Sequence, residues 1–232
     1  MKNSERFIIA FNKIEAFFDK AINEKRHLSF YRSVQLLKRS NAIVDRYQDD
    51  LLEYAELRNA IIHERTDTNY AIAEPHDDVV ERMEKIKEKL TAPELVIPRF
   101  FKEMRQIQAE ATLNDVLQVI RETDYSQFPV YRDKEFIGLL TDKGITHWLA
   151  RHAKGNADHL FQTAAYEVIK DDDRAHNYKF ISKSMSIYQA EHYFLEQIKE
   201  TKQLDALLIT ENGKLEETLI GMITSKDLIE IP

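Results

Sequence analysis

Gly221 to Leu228 read GMITSKDL, an apolar run that turns abruptly polar. Thr224 stands three residues after the glycine and Asp227 three residues further on. A hydroxyl and a carboxylate at that spacing have two uses. They cap a helix, each bonding backbone N–H groups at its start, or they hold a nucleotide. A related stretch, GLLTDKGI, Gly138 to Ile145, keeps Thr141 but has Gly144 where the acid would fall, and Asp142 is two residues off. The run LIEIP after Asp227 predicts barely one helical turn to cap, whereas TDKGITHWLARHA predicts a longer helix. A purely capping role predicts the opposite distribution of the acid.

A second pattern is RNAIIH, Arg58 to His63. On one helix over residues 43–63, Val44, Tyr47, Leu51, Tyr54, Ala55 and Ile62 share a face, with Arg58 near its centre. A guanidinium on an apolar face is either paired or used. Glu15 and Asp45 are the acids expected to pair with it if its role is structural. Asn59 and His63 lie four apart and so are helix neighbours on the flank of that stripe.

Other groups carry less. His147 and His152 are five apart, the wrong spacing for two ligands on one helix face, and no His-Glu-x-x-His occurs. Asp171, Asp172 and Asp173 read as a solvated connection, not a metal site. No glycine-rich phosphate loop and no Gly-x-Ser-x-Gly is present. Trp148 at helical spacing reads as core or dimer packing. The absence of cysteine excludes disulfides, thiol catalysis and Cys-based metal sites, and makes a cytoplasmic location the default.

The elements that must position these groups fall into two parts. Residues 4–90 read as four helices, a bundle. FIIAFNKIEAFFDKAI stripes Phe7, Phe11, Ile14 and Phe18; SFYRSVQLL stripes Phe30, Val34 and Leu37; 41–63 reads as one long helix; and PHDDVVERMEKIKEKL opens on acids and ends in lysines. The opening residues form an amphipathic helix and not a secretory signal. No run of about 18 apolar residues spans a membrane. Residues 1–90 carry 16 Lys and Arg against 17 Asp and Glu, leaving 17 against 23 for the remainder. The acidic balance argues against general duplex DNA binding.

Two prolines in TAPELVIP mark a linker at 91–98. Beyond it, short apolar runs alternate with helical stretches, and the alternation repeats. ATLNDVLQVI (111–120) matches MSIYQAEHYF (185–194) in its apolar positions. FPVYRDKEFIGLLTDKGI (128–145) matches LLITENGKLEETLIGMITSKDL (207–228). Each copy predicts strand, helix, strand, turn, strand, and Asn212-Gly213 marks the second copy's turn. One copy buries little apolar surface alone, whereas two together make a compact domain.

The repeat resembles the paired CBS domain, or Bateman module, over roughly 95–232. The T-L-x-D-V-L helix, the F-P-V-Y strand and the Gly-h-h-Thr-x-x-Asp ending (h apolar) carry the likeness. That resemblance implies adenosine-containing ligands in clefts between the repeats. It implies phosphate on Thr224, presented with N–H groups at a helix start, and ribose hydroxyls on Asp227, which accepts from both. Ile181 and Leu207 are then expected to sandwich the adenine. Gly144 departs from the family pattern, so the Thr141 cleft is expected to bind less well, to stay empty or to take another ligand. RNAIIH in its bundle resembles the HEPN superfamily over about 4–90. By that resemblance Arg58 stabilises a phosphate, His63 acts as acid or base at a 2′-hydroxyl, a role imidazole suits, and Asn59 orients.

The expected fold is therefore α+β. It comprises a helical bundle (1–90), a linker (91–98), a first CBS repeat (99–155), a connecting segment (156–179) and a second repeat (180–232). The expected function is regulatory: an adenine nucleotide binds the repeats and controls the helical part, with no cofactor required. The alternatives are a ligand-gated, metal-independent ribonuclease using Arg58, Asn59 and His63, and a structural dimerisation module. A homodimer is expected, and RNA is a partner only through the helical part.

Overall fold

The computed structural model describes residues 1–22, 28–63, 73–123, 125–153, 157–199 and 203–230. The chain divides into two units, Met1–Glu94 and Leu95–Pro232. The described part of the first is helical and the second mixes helices with two sheets, so the fold is α+β.

In the first unit α1 (Asn3–Ile22) buries Phe7, Phe11, Ile14 and Phe18, the stripe its spacing predicts. Helix α2 (Phe30–Leu37) starts at Ser29, whose hydroxyl accepts from the Arg32 N–H, and buries Val34 and Leu37. Phe30 is half-buried and its ring stacks on Phe11 at 4.4 Å. The single helix expected over 41–63 is two. Asn41 caps α3 (Ala42–Arg46) by accepting from Ile43 and Val44 N–H. The chain leaves helical geometry at Tyr47 (φ −107°, ψ 20°) and re-enters it as α4 (Gln48–His63). Asp49 and Asp50 sit in the first turn of α4, where the helix dipole favours negative charge, so the sequence supplies a second helix start inside the longer pattern. The break shifts the buried stripe of α4 to Leu51, Tyr54 and Ile61, with Arg58 half-buried on the same face. Ile61 is buried and Ile62, the expected core residue, is half-buried. Helix α5 (Asp77–Thr91) packs on α1 through Val80, Met83, Ile86 and Leu90. A two-pronged Arg6–Glu84 pair at 3.1 and 2.7 Å seals its edge and holds the Glu84 carboxyl below its usual range.

In the second unit a short α6 (Val96–Arg99) precedes β1 (Ile107–Gln108), α7 (Leu113–Thr123), β2 (Gln127–Arg132) and β3 (Glu135–Thr141). Strand β1 pairs parallel with β2, and β2 antiparallel with β3. Then come α8 (Asp142–His152), α9 (Ala157–Phe161) and α10 (Ala165–Lys170), and the pattern recurs. Strand β4 (Tyr178–Ser182), α11 (Ile187–Lys199), β5 (Ala206–Thr210) and β6 (Gly221–Ile223) form a second sheet with the same parallel-then-antiparallel order. Even the helix starts match. Thr112 with Asp115 and Ser186 with Gln189 each form a reciprocal capping box one residue ahead of α7 and α11. Gly213 adopts φ +78°, the left-handed conformation that its turn demands.

Each sheet has a side that it cannot cover alone, and the two repeats cover each other. Tyr131, Phe136 and Leu139 of the first pack with Ala206, Leu208 and Leu219 of the second. The Phe136 ring meets Tyr178 and Phe180 edge-on at 5.1 and 5.3 Å. The chain ahead of β1 crosses to the other repeat: Phe101 bridges Gly221 on the free edge of β6, and Lys102 N–H donates to Ile220 C=O at 3.4 Å. Gly221 is required there, because a Cβ would meet the Phe100 carbonyl oxygen.

Candidate functional site

The crossing segment creates a cleft. It runs beside β6 and the turn that follows, and between them lies a cavity of about 280 Å³. One wall is Arg99 to Arg105, a second is Tyr125 to Gln127, and the floor is Met222, Thr224, Lys226 and Asp227. Thr224 and Asp227 are both half-buried. The Asp227 carboxylate accepts the Thr224 N–H at 2.6 Å and the Thr224 hydroxyl at 2.8 Å, both on Oδ2. The capping reading of GMITSKDL is thus physically present: Asp227 closes the turn after β6 as Asp115 closes the start of α7. The two acids differ in where they lie, since Asp227 lines a cavity of ligand size.

The chain is acidic, with a formal charge of −7, yet this cleft is cationic. Arg99, Lys102, Arg105 and Lys226 line it against Glu103 and Asp227. The Lys102 ammonium sits 4.0 Å from the Tyr125 ring centroid. Phe101, also in the wall, is 67% exposed. A concave surface with an apolar ring, four cations and two carboxylates suits a ligand with an aromatic base, a phosphate and hydroxyls.

The other candidate residues lie elsewhere. Ile181 and Leu207, expected to flank an adenine, are 1% and 0% exposed and lie outside the cavity wall. The reason is that β5 is buried along its whole length, and Ile181 pairs with Ile209 inside that sheet. The rings in the cavity wall are instead Phe101 and Tyr125, neither of which the sequence pattern singles out. The run of Arg99, Lys102 and Arg105 was the signal available for the segment that carries them.

Thr141 is the N-cap of α8, its hydroxyl accepting from Gly144 N–H at 2.9 Å, and it is 4% exposed. Asp172, expected in a solvated connection, is buried at 5% exposure, while Asp171 and Asp173 are exposed. Trp148 is buried in the core around the first sheet, with the His152 ring stacked on it at 4.4 Å.

Arg58 occupies a core position of α4 and is half-buried. Its guanidinium lies 5.8 Å from the Phe11 ring centroid and donates to Asn59 Oδ1 at 3.4 Å through Nη1. Its Nε is buried without a hydrogen-bond partner among the described residues. The side chain of His63 lies outside the described residues.

Two comparisons find similar proteins, and a third finds no match: no curated protein matches the chain. Many solved structures resemble it, among them the following three, all at low identity. An acetoin utilization protein (AcuB) from Vibrio cholerae shares 16% identity at a TM-score of 0.44, covering 59% of this chain and 88% of its own. CBSX2 in complex with AMP shares 13% at 0.44, covering 59% and 94%. A CBS domain protein from Streptococcus pneumoniae shares 16% at 0.42, covering 56% and 78%. Residues 102–151, from the crossing segment to α8, match the family model of the CBS domain.

Proposed function

We propose that the chain is a regulatory protein whose Thr224/Asp227 cleft binds an adenine nucleotide, and whose helical unit carries the response. The observation that supports this most is the cationic cavity set in an acidic chain, with Asp227 and Thr224 in its wall. The Thr224 N–H and hydroxyl occupy one oxygen of Asp227, so the other faces the task of accepting from vicinal ribose hydroxyls. Lys226 and the crossing-segment cations balance a phosphate, and the exposed Phe101 offers a ring face to a base. Control follows if the nucleotide favours one arrangement of the two repeats over another. AMP, ADP or ATP added at about 100 times its Kd stabilises the native chain by about 2.7 kcal/mol. A thermal-shift series with calorimetry reads this. A melting temperature unmoved by all three, with no heat of binding, overturns the reading.

The helical unit supports a second reading as a metal-independent ribonuclease, favoured by the unpartnered Nε of Arg58 beside Asn59. It separates cleanly from a structural role. If Arg58 only packs on Phe11, Arg58→Met keeps or raises the melting temperature, because an apolar chain replaces a poorly satisfied charge, and no RNA cleavage in chelator exists to be lost. If Arg58 handles a phosphodiester, wild type cleaves RNA in chelator, and Arg58→Met and His63→Ala each abolish cleavage. Cleavage that survives either change contradicts the nuclease reading.

A further inference from the structure

The repeats predict two equivalent clefts, and their contents differ. In the second, the crossing segment leaves open space above Thr224 and Asp227. In the first, the equivalent floor is Thr141 and Gly144, and the crossing backbone is the stretch around Ala175, whose carbonyl lies 3.3 Å from where a Gly138 Cβ would stand. That stretch carries Asp172 and Arg174 in with it. The Asp172 carboxylate accepts from Arg174 N–H at 3.2 Å and from its Nε at 3.1 Å. Its Oδ2 presses on Gly144, occupying the place of any Cβ there.

We infer that the first cleft is filled by the protein itself: the Asp172 carboxylate, pinned by Arg174, takes the space beside Gly144, and the cleft admits no nucleotide. The absence of an acid at 144 is then a packing requirement. A side chain at 144 and the Asp172 carboxylate are mutually exclusive, and the chain has kept the incoming one. The surrounding charge agrees. Asp205 immediately precedes β5, as Ser126 precedes β2, and its carboxyl feels the charges of Lys143, Arg174 and Asp172. Burial raises its carboxyl above the ordinary range. Each chain therefore takes one nucleotide, a consequence that rests on the nucleotide reading; the packing of Asp172 on Gly144 does not.

The test uses the full chain and keeps the two claims apart. Gly144→Ala lowers the melting temperature in the native background, because the new methyl displaces Asp172. In an Asp172→Ala background the same change costs clearly less: the helix preference for alanine over glycine then works only against the Thr141 Oγ1, which stands 3.2 Å from the new methyl. Should Asp172→Ala fail to fold, Asp172→Ser retains an acceptor for Arg174 N–H and replaces it. With AMP as the probe, calorimetry gives one site per chain, weakened about 10- to 100-fold by Asp227→Ala. An equal loss in both backgrounds overturns the packing claim, whereas AMP bound at two per chain, or at a site whose affinity Asp227→Ala leaves unchanged, overturns the claim that the first cleft admits no nucleotide. If AMP binds nowhere, the nucleotide reading falls, and the pair of melting temperatures alone decides whether Asp172 fills the cleft.

Discussion

Asp227→Ala weakens AMP binding by about 10- to 100-fold, the loss of a charge-assisted contact contributing about 1.5–3 kcal/mol. The same carboxylate also closes the turn after β6 through the Thr224 N–H, so the alanine variant loses a cap contributing about 1 kcal/mol to stability. The two roles separate in Asp227→Asn. An amide oxygen still accepts from the Thr224 N–H but carries no charge for ribose hydroxyls. The asparagine variant therefore keeps most of the melting temperature while affinity falls nearly as far as in alanine. Calorimetry and thermal unfolding on the three proteins read both quantities. Affinity that follows the melting temperature, intact in asparagine and lost in alanine, reduces Asp227 to a cap.

Gly221→Ala strikes the cleft from behind. Its methyl meets the Phe100 carbonyl oxygen, with Phe100 C and Ile209 Cδ1 each at 3.2 Å. The obstacle is backbone, so the crossing segment must move off the β6 edge, at a cost of about 1–3 kcal/mol. That segment is also a wall of the cavity, so nucleotide affinity falls with stability. Gly138→Ala is the internal control. Its nearest atoms, Ala175 O and Ile169 Cγ2, stand at 3.3 Å and yield by a few tenths of an ångström. It flanks the filled cleft, so it costs less stability and leaves AMP affinity unchanged. For a chain of this size each 1 kcal/mol appears as about 2–4 °C in melting temperature. Equal effects on affinity from the two glycines contradict the assignment of the ligand to the second cleft.

Local pattern carried much of this fold. The Phe7, Phe11, Ile14, Phe18 stripe and the Asn212-Gly213 turn depend on residues within a turn or two, and such signals survive in sequence. The two copies could be aligned because each must bury the same faces. The missed features are non-local. Nothing near Phe101 says that it will run beside Gly221, some 120 residues later, so the cleft's wall was invisible although its floor was named. Ile181 and Leu207 looked available because a short apolar strand does not show whether one face or both are covered, and here both are. Asp172 in a run of three acids looked solvated, and only the Gly144 it packs against reveals why it is buried. The break at Tyr47 was legible in Asp49 and Asp50, but the continuous apolar spacing masked it.

A crystal of the full chain grown with AMP tests the central claim most directly. The proposal places the nucleotide once per chain, its phosphate beside Thr224 and Lys226, its ribose hydroxyls on Asp227 and its base against Phe101. Nucleotide density beside Thr141 and Gly144, or a Thr224/Asp227 cleft holding only solvent at saturating AMP, contradicts it.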